Sequence, residues 1–471
     1  MLCRVMTEHD RRSDLIESHS VDFVPPNERH GRVADLFTLW FATNIAPLPV
    51  VTGALAVQVY GLSLKWGICA ILVGHALGAV VLGLCSAQGP VMGVPQMMQS
   101  RGQFGRYGAM LVVGFAAVIY VGFFTSNLIL AGNSIHEIAT SITPRLGVVV
   151  AGLCAATIGV IGYRFIHLLN RIGTWVMGTA ILIGFVLVID RLPGDVASRG
   201  GLTVEGWLGT MSLALIWQVS YACYTSDYSR YLPATVGVFR PFLATYLGAF
   251  LGTSLSFIFG ALVVLAAPEG TAPMAAIRIA TGPLGPTLMV LLAINVISHN
   301  ALNLYGATLS IMTSIQTFAS RWTPGKRSRT VVSAAVLAAC LIAAVAAAND
   351  FVPRFMRFIL TMLDVLVPWA TINLVDFYLV KRRTYDVPSL FAPDGGRYGL
   401  FRPSAILAYV FGIAIQIPFV VLPSYVGVIA TALHGIDISW CISPLVTAPV
   451  YFWLEQRFAS AFLPSPAENA S

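Results

Sequence analysis

Carboxamide side chains are concentrated in one otherwise apolar stretch of this chain, SHNALNLYGATLS at residues 298–310. Asn295, His299 and Asn303 are four residues apart in turn, so they share one face if the stretch is helical, with Asn300 beside them. A second apolar stretch holds Phe123 and Asn127 at i and i+4, an aromatic ring and an amide on one face. Amides offer donors and an acceptor, and aromatic faces stack flat partners. The combination suits a planar, uncharged, hydrogen-bonding heterocycle better than an ion or a sugar.

Two further apolar stretches carry candidates for the same site. Ser220 and Tyr221 lie in IWQVSYACYTSDYSRYLP, with Trp217 about one turn earlier, and Thr43 and Asn44 lie in LWFATNIAPLPVVTG. Each residue has a structural alternative, because a single amide in a membrane helix often bonds a neighbouring helix. The convergence of four stretches on the same residue types favours a binding site.

Ionisable side chains within apolar stretches form a second set of candidates, for a coupling ion. His299 lies beside the amides and titrates near neutrality, so it is a candidate proton carrier, with Ser298 next to it. Asp364 is in the middle of TMLDVLVPW, where a carboxylate costs about 2.5–3.5 kcal/mol to insert. The alternative for Asp364 is a structural pair with a neighbouring helix. The seven cysteines show no Cys-x-x-Cys spacing, so we expect no disulfide framework, no metal site and no cofactor.

The composition of the chain indicates which elements must position these residues. Of 471 residues, 57% are hydrophobic and only 10% are charged, with a mean hydropathy of +0.78. Soluble domains carry about 25% charged residues, and a helix needs about 20 apolar residues to cross a bilayer. The sequence therefore predicts an all-α integral membrane protein with about 12 transmembrane helices. The apolar runs lie near 36–59, 66–86, 105–133, 146–166, 172–190, 205–226, 241–266, 284–318, 330–348, 355–380, 403–422 and 436–456. The run at 284–318 is too long for one straight span and must tilt or extend beyond the membrane.

The net charge of +7 is explained by its distribution. With the N terminus placed inside, 21 of the 28 Lys and Arg residues fall in cytoplasmic segments, as the positive-inside rule requires. We therefore expect a multi-pass protein of the cytoplasmic (plasma) membrane with both termini cytoplasmic. The bilayer accounts for the charge, and we expect no nucleic-acid partner.

The first and sixth predicted spans are interrupted alike, about 177 residues apart. Pro47 and Pro49 follow Asn44, and because proline lacks a backbone donor we expect the first helix to unwind around Asn44 to Pro49. The two interrupted helices are five positions apart in the order of spans, so the two halves enter the membrane with opposite orientation. Paired broken helices in inverted repeats mark a midplane binding site of a transporter. The alternative is two unrelated kinked helices.

The predicted organisation follows from these runs. We expect a cytoplasmic tail at 1–34 and an inverted-repeat core at 35–380, with repeats at about 35–190 and 205–380. A cytoplasmic loop at 381–402, two accessory helices at 403–456 and a cytoplasmic tail at 457–471 complete the chain.

Four motifs carry a resemblance to a known family: GPVMGVPQMMQSRGQFGRYG, SDYSRYLP, SHNALNLYGATLS and NLVDFYLVKRRTYDV. Over about residues 30–455 the chain resembles the nucleobase–cation symporters, in their purine/cytosine permease branch. The resemblance implies a five-plus-five inverted-repeat (LeuT-like) fold with two C-terminal helices. It also implies that a base stacks between aromatics of the third and sixth helices and bonds amides of the third and eighth. The matching positions are Phe123, Asn127, Ser220, Tyr221, Asn300 and Asn303, with Thr43 and Asn44 at the broken first helix.

Some positions depart from the pattern of that family. Tyr221 stands where tryptophan is usual and Phe123 where it is often found, so we expect a narrower sandwich, in which Trp217 could substitute. Sodium-coupled members bind the ion between carbonyls of the first helix and hydroxyls of the eighth. Ser298 fits one hydroxyl position, but His299 stands at the other, which favours protons over sodium.

The sequence thus predicts a secondary transporter that imports a nucleobase (cytosine and/or purines) or a related heterocycle by cation symport, with the proton favoured. The alternatives are a sodium-coupled transporter of allantoin, hydantoin or a vitamin-like pyrimidine, and a receptor that binds substrate without translocating it. A channel would need a continuous polar pore, and an enzyme would need a nucleophile–base pair that we do not find. We expect no obligate protein partner.

Overall fold

The computed structural model describes residues 22–462 apart from residues 162, 197–198, 320–321, 323–324, 349 and 423. The side chains of residues 158–174, 298–299, 302, 326 and 459–462 also lie outside this description. The predicted tails at 1–34 and 457–471 fall largely on residues that are not described.

Within the described residues the chain forms eighteen α-helices, and the only strands are a two-residue antiparallel pair. The helices are α1 (Val33–Thr43), α2 (Pro47–Gln58), α3 (Leu64–Ser86), α4 (Gly89–Met92), α5 (Gln96–Phe104), α6 (Ala109–Ile138), α7 (Pro144–Ile161), α8 (Tyr163–Ile189), α9 (Val204–Ala222), α10 (Ser226–Ser229), α11 (Phe239–Leu265), α12 (Pro273–Ala280), α13 (Gly285–Phe318), α14 (Lys326–Ala347), α15 (Phe351–Val375), α16 (Pro403–Ala414), α17 (Val428–Ala432) and α18 (Ser439–Phe462). The strands are β1 (Val421–Leu422) and β2 (Tyr425–Val426), and a π-helical turn (Asp376–Val380) continues α15.

Helices occupy all twelve predicted apolar runs. In the described chain, five stretches are long and apolar enough to cross a membrane unaided, and α1 and α2 together form a sixth, bent by 57°. The five are Leu64–Met92, Ala109–Ile138, Phe239–Leu265, Arg327–Ala347 and Phe351–Val380. Helix α13 is a single helix of 34 residues, about 51 Å long at 1.5 Å per residue. Because the hydrocarbon core is about 30 Å thick, α13 must tilt or project from it, as predicted.

Two predicted boundaries are wrong. The run at 403–422 is helical only from Pro403 to Ala414, and the chain then turns and forms β1. Pro418, which has no backbone donor, lies in this turn. The predicted loop between the fourth and fifth runs, at 167–171, lies inside α8, which begins at Tyr163.

Both predicted interruptions are present. The first helix stops at Thr43, and α2 begins at Pro47, so the break spans Asn44 to Ala46 and ends earlier than predicted. Pro47 is the first residue of α2, a position where the missing N–H would have no partner in any case. The sixth run breaks between Ala222 and Ser226.

Glycines allow the helices around these breaks to pack closely. An added Cβ at Gly74 or Gly78 of α3 would collide with carbonyl oxygens of α9. The same change at Gly248 or Gly252 of α11 would collide with carbonyl oxygens of α1. Both pairs have the small-x-x-x-small spacing that brings membrane helices into contact. The two broken helices are therefore held by α3 and α11.

Candidate functional site

Asn44 connects the first helix break to α9, the helix that leads to the second break. Its side-chain carbonyl accepts a hydrogen bond from Nε1–H of Trp217 at 2.9 Å, and its amide donates to the backbone oxygen of Trp40 at 2.7 Å. Its backbone oxygen, left free by the break, accepts from Ser256 Oγ at 2.7 Å. Unwound backbone at membrane depth must find such partners. Asn44 is fully buried. Its side-chain oxygen, one amide hydrogen and its backbone oxygen are hydrogen-bonded to the protein, which leaves the other amide hydrogen for a ligand.

An aromatic cluster lies beside this junction. Phe123 of α6 and Tyr221 of α9 stack with their ring centroids 6.2 Å apart and their planes 29° apart. Trp217 is 5.7 Å from Phe123, and Trp40 is 5.5 Å from Tyr221. The structure thus brings together the two rings that the sequence predicts as a sandwich, and all four rings are buried.

The Phe123–Tyr221 pair is closed in this structure. Two aromatic carbons pack at about 3.5 Å, so a flat ring held between two others needs their planes about 7 Å apart. The centroids are separated by 6.2 Å. The spacing of the two planes is at most this centroid distance, so a heterocycle can enter only if α6 and α9 separate by at least about 1 Å or one of the two rings rotates.

The amides predicted on α6 and α13 lie next to the aromatic cluster. Asn300 is fully buried and donates to the backbone oxygen of Phe124 at 3.1 Å, and its own carbonyl accepts a long bond from Asn303 at 3.4 Å. Asn127 is 8% exposed and makes no side-chain hydrogen bond within the described chain. Asn300 thus ties α13 to α6. The amide of Asn127 and the carbonyl of Asn303 remain for a ligand.

Buried groups without partners add to the polarity of this region. The side-chain carbonyl of Asn295, two turns before Asn303 on α13, is buried and has no partner in the described chain. Such an atom carries a desolvation penalty unless a ligand or water satisfies it.

The remaining predicted binding residues lie at the breaks. Ser220 is buried, and its hydroxyl donates to the backbone oxygen of Trp217 at 2.7 Å, within α9. Its own backbone oxygen is 3.1 Å from Sγ of Cys223, at the break. Thr43 is half-buried and is the last residue of α1. Both residues border the junction, and the hydroxyl of Ser220 is already engaged.

Of the three predicted coupling residues, only Asp364 has a side chain that the structure describes. The side chains of Ser298 and His299 lie outside the described residues, although their backbone belongs to α13. Asp364 of α15 contacts the C-terminal part of the chain instead of the aromatic cluster. Its backbone oxygen accepts from Gln416 at 2.7 Å, and its carboxyl group faces Asp437.

The sequence-based reasoning missed a stack of aromatic residues between α6, the second break and α13. Tyr120 stacks on Tyr224 with centroids 5.1 Å apart, and Tyr224 meets Tyr221 edge-on at 5.7 Å. Tyr120 also lies against Gly306, where an added Cβ would be 2.5 Å from its ring. Tyr120 is about one turn before Phe123 on α6. This spacing puts both rings on one helix face and could have identified Tyr120 from the sequence.

Comparison with known proteins connects this geometry to one family. The profile of the family described as permeases for cytosine/purines, uracil, thiamine and allantoin matches residues 23–443. The putative purine-cytosine permease YxlA of Bacillus subtilis is 32% identical over 446 residues, covering 93% of this chain and 96% of YxlA. The purine-cytosine permease fcyB of Emericella nidulans is 24% identical, covering 90% of this chain and 85% of fcyB.

A solved structure shows the fold. Mhp1, a nucleobase-cation-symport-1 family transporter, superposes in its closed, bromovinylhydantoin-bound form with a TM-score of 0.75. The two chains are 18% identical, and the match covers 97% of this chain and 98% of Mhp1. The predicted fold class is confirmed: a helical membrane protein with a five-plus-five inverted-repeat core and two C-terminal helices.

Proposed function

The chain belongs to the family of permeases for cytosine/purines, uracil, thiamine and allantoin, and on this premise we propose that it imports a nucleobase by proton symport. Family membership makes the chain a multi-pass membrane transporter and not an enzyme. The base, the coupling ion, the plasma-membrane location and the cytoplasmic termini belong to the proposal. So do the repeat boundaries at about 35–190 and 205–380.

The observation that carries the proposal is the aromatic and amide cluster at the two helix breaks. Phe123 and Tyr221 offer stacking faces, and Asn127 and Asn303 offer a free amide and a free carbonyl on adjoining helices. A nucleobase presents two flat faces and an edge of alternating donors and acceptors, and it carries no charge. This group of side chains matches each of those properties.

The closed ring pair suggests how the site works. We propose that the structure is a closed state, in which the rings meet before a base is held. The Tyr120–Tyr224 stack lies on the cytoplasmic side of Phe123 if the N terminus is cytoplasmic, so it would close the inner path. Binding energy from stacking and from the amides would separate Phe123 from Tyr221, and later separation of Tyr120 from Tyr224 would release the base inward.

Proton coupling is proposed from the residue types on α13. Histidine is the residue type whose ordinary pKa lies near neutrality, and His299 lies next to Asn300, so protonation of His299 would change how α13 presents its amides. Asp364 contacts the C-terminal segment, so any coupling role would act there and not at the ring cluster. One proton descending 100 mV releases about 2.3 kcal/mol, which supports roughly a fifty-fold gradient of base.

Uptake of labelled cytosine into proteoliposomes tests the proposal, with proton and sodium gradients imposed separately and a panel of bases as competitors. Uptake under a proton gradient alone is expected, and His299→Gln should abolish the gradient dependence while leaving cytosine binding detectable. Sodium-only uptake would refute proton coupling.

Two other outcomes would replace the proposed substrate or activity. Competition by allantoin, hydantoins or vitamin-like pyrimidines, and not by nucleobases, would identify the alternative substrate class. Base binding by the purified protein without translocation under either gradient would identify a receptor.

A further inference from the structure

The chain reverses sharply where α15 leaves the membrane. After the π-helical turn, Arg382 and Arg383 have φ of 48° and 67°, a left-handed conformation that residues with a Cβ adopt rarely. The N–H groups of Lys381 and Arg383 bond the carbonyls of Asp376 and Phe377, both at 2.7 Å. Unfavourable backbone angles of this kind persist where the surroundings over-determine them, and they cluster at functional sites. The turn directs Arg383 back toward Tyr378, 5.6 Å from its ring centroid.

A cavity of about 390 Å³ lies beside this turn. Arg383, Thr384 and Tyr385 line one side, Arg397 lines another, and Val91 of α4 contributes an apolar wall. The volume falls within the range of small-ligand sites, about 300–1,000 Å³. The cavity is well separated in sequence from the residues of the nucleobase site.

Hydrogen bonds to buried groups hold Tyr385 in the wall of the cavity. The hydroxyl of Tyr385 donates to the carboxylate of the buried Asp376, and Gln103 donates to the same hydroxyl at 2.8 Å. Burial, reinforced by the charge of Asp376, raises the pKa of Tyr385 well above its ordinary value, so it remains a neutral donor. Tyr385 is thus a fixed, uncharged part of the cavity wall.

The charge of the cavity favours an anion. The loop at 381–402 holds five Lys and Arg residues and two Asp residues. In the cavity wall, Asp386 is paired with Arg397 at 3.3 Å, and it also accepts a bond from Ser389 at 2.8 Å. The Arg397 side chain is still 80% exposed. Arg383 lines the same cavity, and a guanidinium group is able to bind phosphate oxygens in pairs.

The position of the cavity connects it to the bilayer. Leu379, four residues before Arg383, is 59% exposed, and Val91 in the wall is 37% exposed. Val91 and Leu379 lie at the ends of two apolar stretches, Leu64–Met92 and Phe351–Val380, that lead into lining residues of the cavity. They offer an exposed apolar surface for an acyl chain. A soluble phosphate would make no use of that surface.

We propose that this cavity binds the phosphate headgroup of an anionic lipid of the cytoplasmic leaflet, held by Arg383 and Arg397 with its acyl chains along Leu379 and Val91. The inference rests on the orientation in the proposed function, which puts loop 381–402 on the cytoplasmic side. Clusters of Lys and Arg just cytoplasmic of a span are typical anionic-lipid sites. A lipid bound there would hold the end of α15 against α4.

The test is lipid binding to the purified full-length protein, which does not depend on transport. Phosphatidylglycerol and phosphatidylcholine are titrated separately, with bound lipid counted by native mass spectrometry and melting followed in parallel. We expect phosphatidylglycerol to bind and raise the melting temperature, and phosphatidylcholine to do neither. Each arginine near an anionic headgroup contributes enough that its loss weakens binding roughly five-fold, so Arg383→Gln with Arg397→Gln should weaken it roughly 25-fold.

The matched control removes two exposed arginines from the first turns of α11 and α14, which begin on the same side in the proposed orientation, Arg240→Gln with Arg327→Gln. An equal loss in both double variants would overturn the site, because it would show general charge attraction. Displacement of the lipid by millimolar inorganic phosphate would overturn the lipid assignment in favour of a free anion. The variant Arg383→Lys with Arg397→Lys keeps the charge but not the paired guanidinium donors, so it should bind phosphatidylglycerol more weakly than the natural protein and more tightly than the double glutamine variant. Binding equal to that of the natural protein would refute a paired phosphate contact.

Discussion

Replacing Phe123 by alanine should weaken base binding while leaving the transporter folded. The ring lies 6.2 Å from Tyr221 and forms one half of the proposed sandwich. Stacking of a base on an aromatic side chain is worth about 1–3 kcal/mol by alanine substitution. That free energy corresponds to a roughly 5- to 150-fold increase in the dissociation constant of the base.

Part of this loss is offset in the variant. In the closed state the ring centroids are 6.2 Å apart, and the rings must separate by at least about 1 Å to admit a base. Removing one ring abolishes that cost, so we expect a loss in the lower half of the range. Phe123→Trp provides a larger stacking face, and this variant should bind the base at least as tightly as the natural protein.

The assay is equilibrium binding of labelled cytosine, or of whichever base competes best, to purified protein in detergent. Melting temperatures are recorded in parallel, because truncating a buried Phe can cost about 3–5 kcal/mol of stability. The matched control is Phe115→Ala, on the same helix but packed against Tyr409, with centroids 6.5 Å apart. An unchanged dissociation constant for Phe123→Ala, or an equal loss for Phe115→Ala, would refute the sandwich.

Two further predictions follow from the amides and from the inner stack. Asn303→Ala should nearly abolish uptake at normal expression, because the bound base would lose a hydrogen-bond partner and its polar atoms would be left unpaired. The control Asn133→Ala, on α6, should leave uptake intact. Unchanged uptake for Asn303→Ala would disprove this part of the site. Gly306→Ala should displace the Tyr120 ring and lower uptake while base binding persists. Gly114→Ala, where an added Cβ meets nothing within 4 Å, is its control, and equal uptake by both variants would show that the stack is not a gate.

Much of the fold could be predicted because the bilayer restricts it. About 20 apolar residues are needed per span, and backbone polar groups must be satisfied inside lipid. Hydropathy therefore located the helices, and proline with polar residues located both breaks. The errors occur where this restriction weakens. Residues 415–422 are apolar enough to continue a span, yet they turn at Pro418. The gap between the fourth and fifth apolar runs, at 167–171, lies inside α8.

The sequence by itself predicted the class of site, because aromatic rings and amides at helical spacing fall on a common face. Only the tertiary structure decided which of those groups are free. Asn44, Asn300 and Ser220 are bonded to the protein, whereas Asn127 and part of Asn303 are available. That division depends on contacts between helices more than 100 residues apart in several cases, such as Trp217 with Asn44. No periodicity within one helix encodes such a contact, since it arises only when the helices pack.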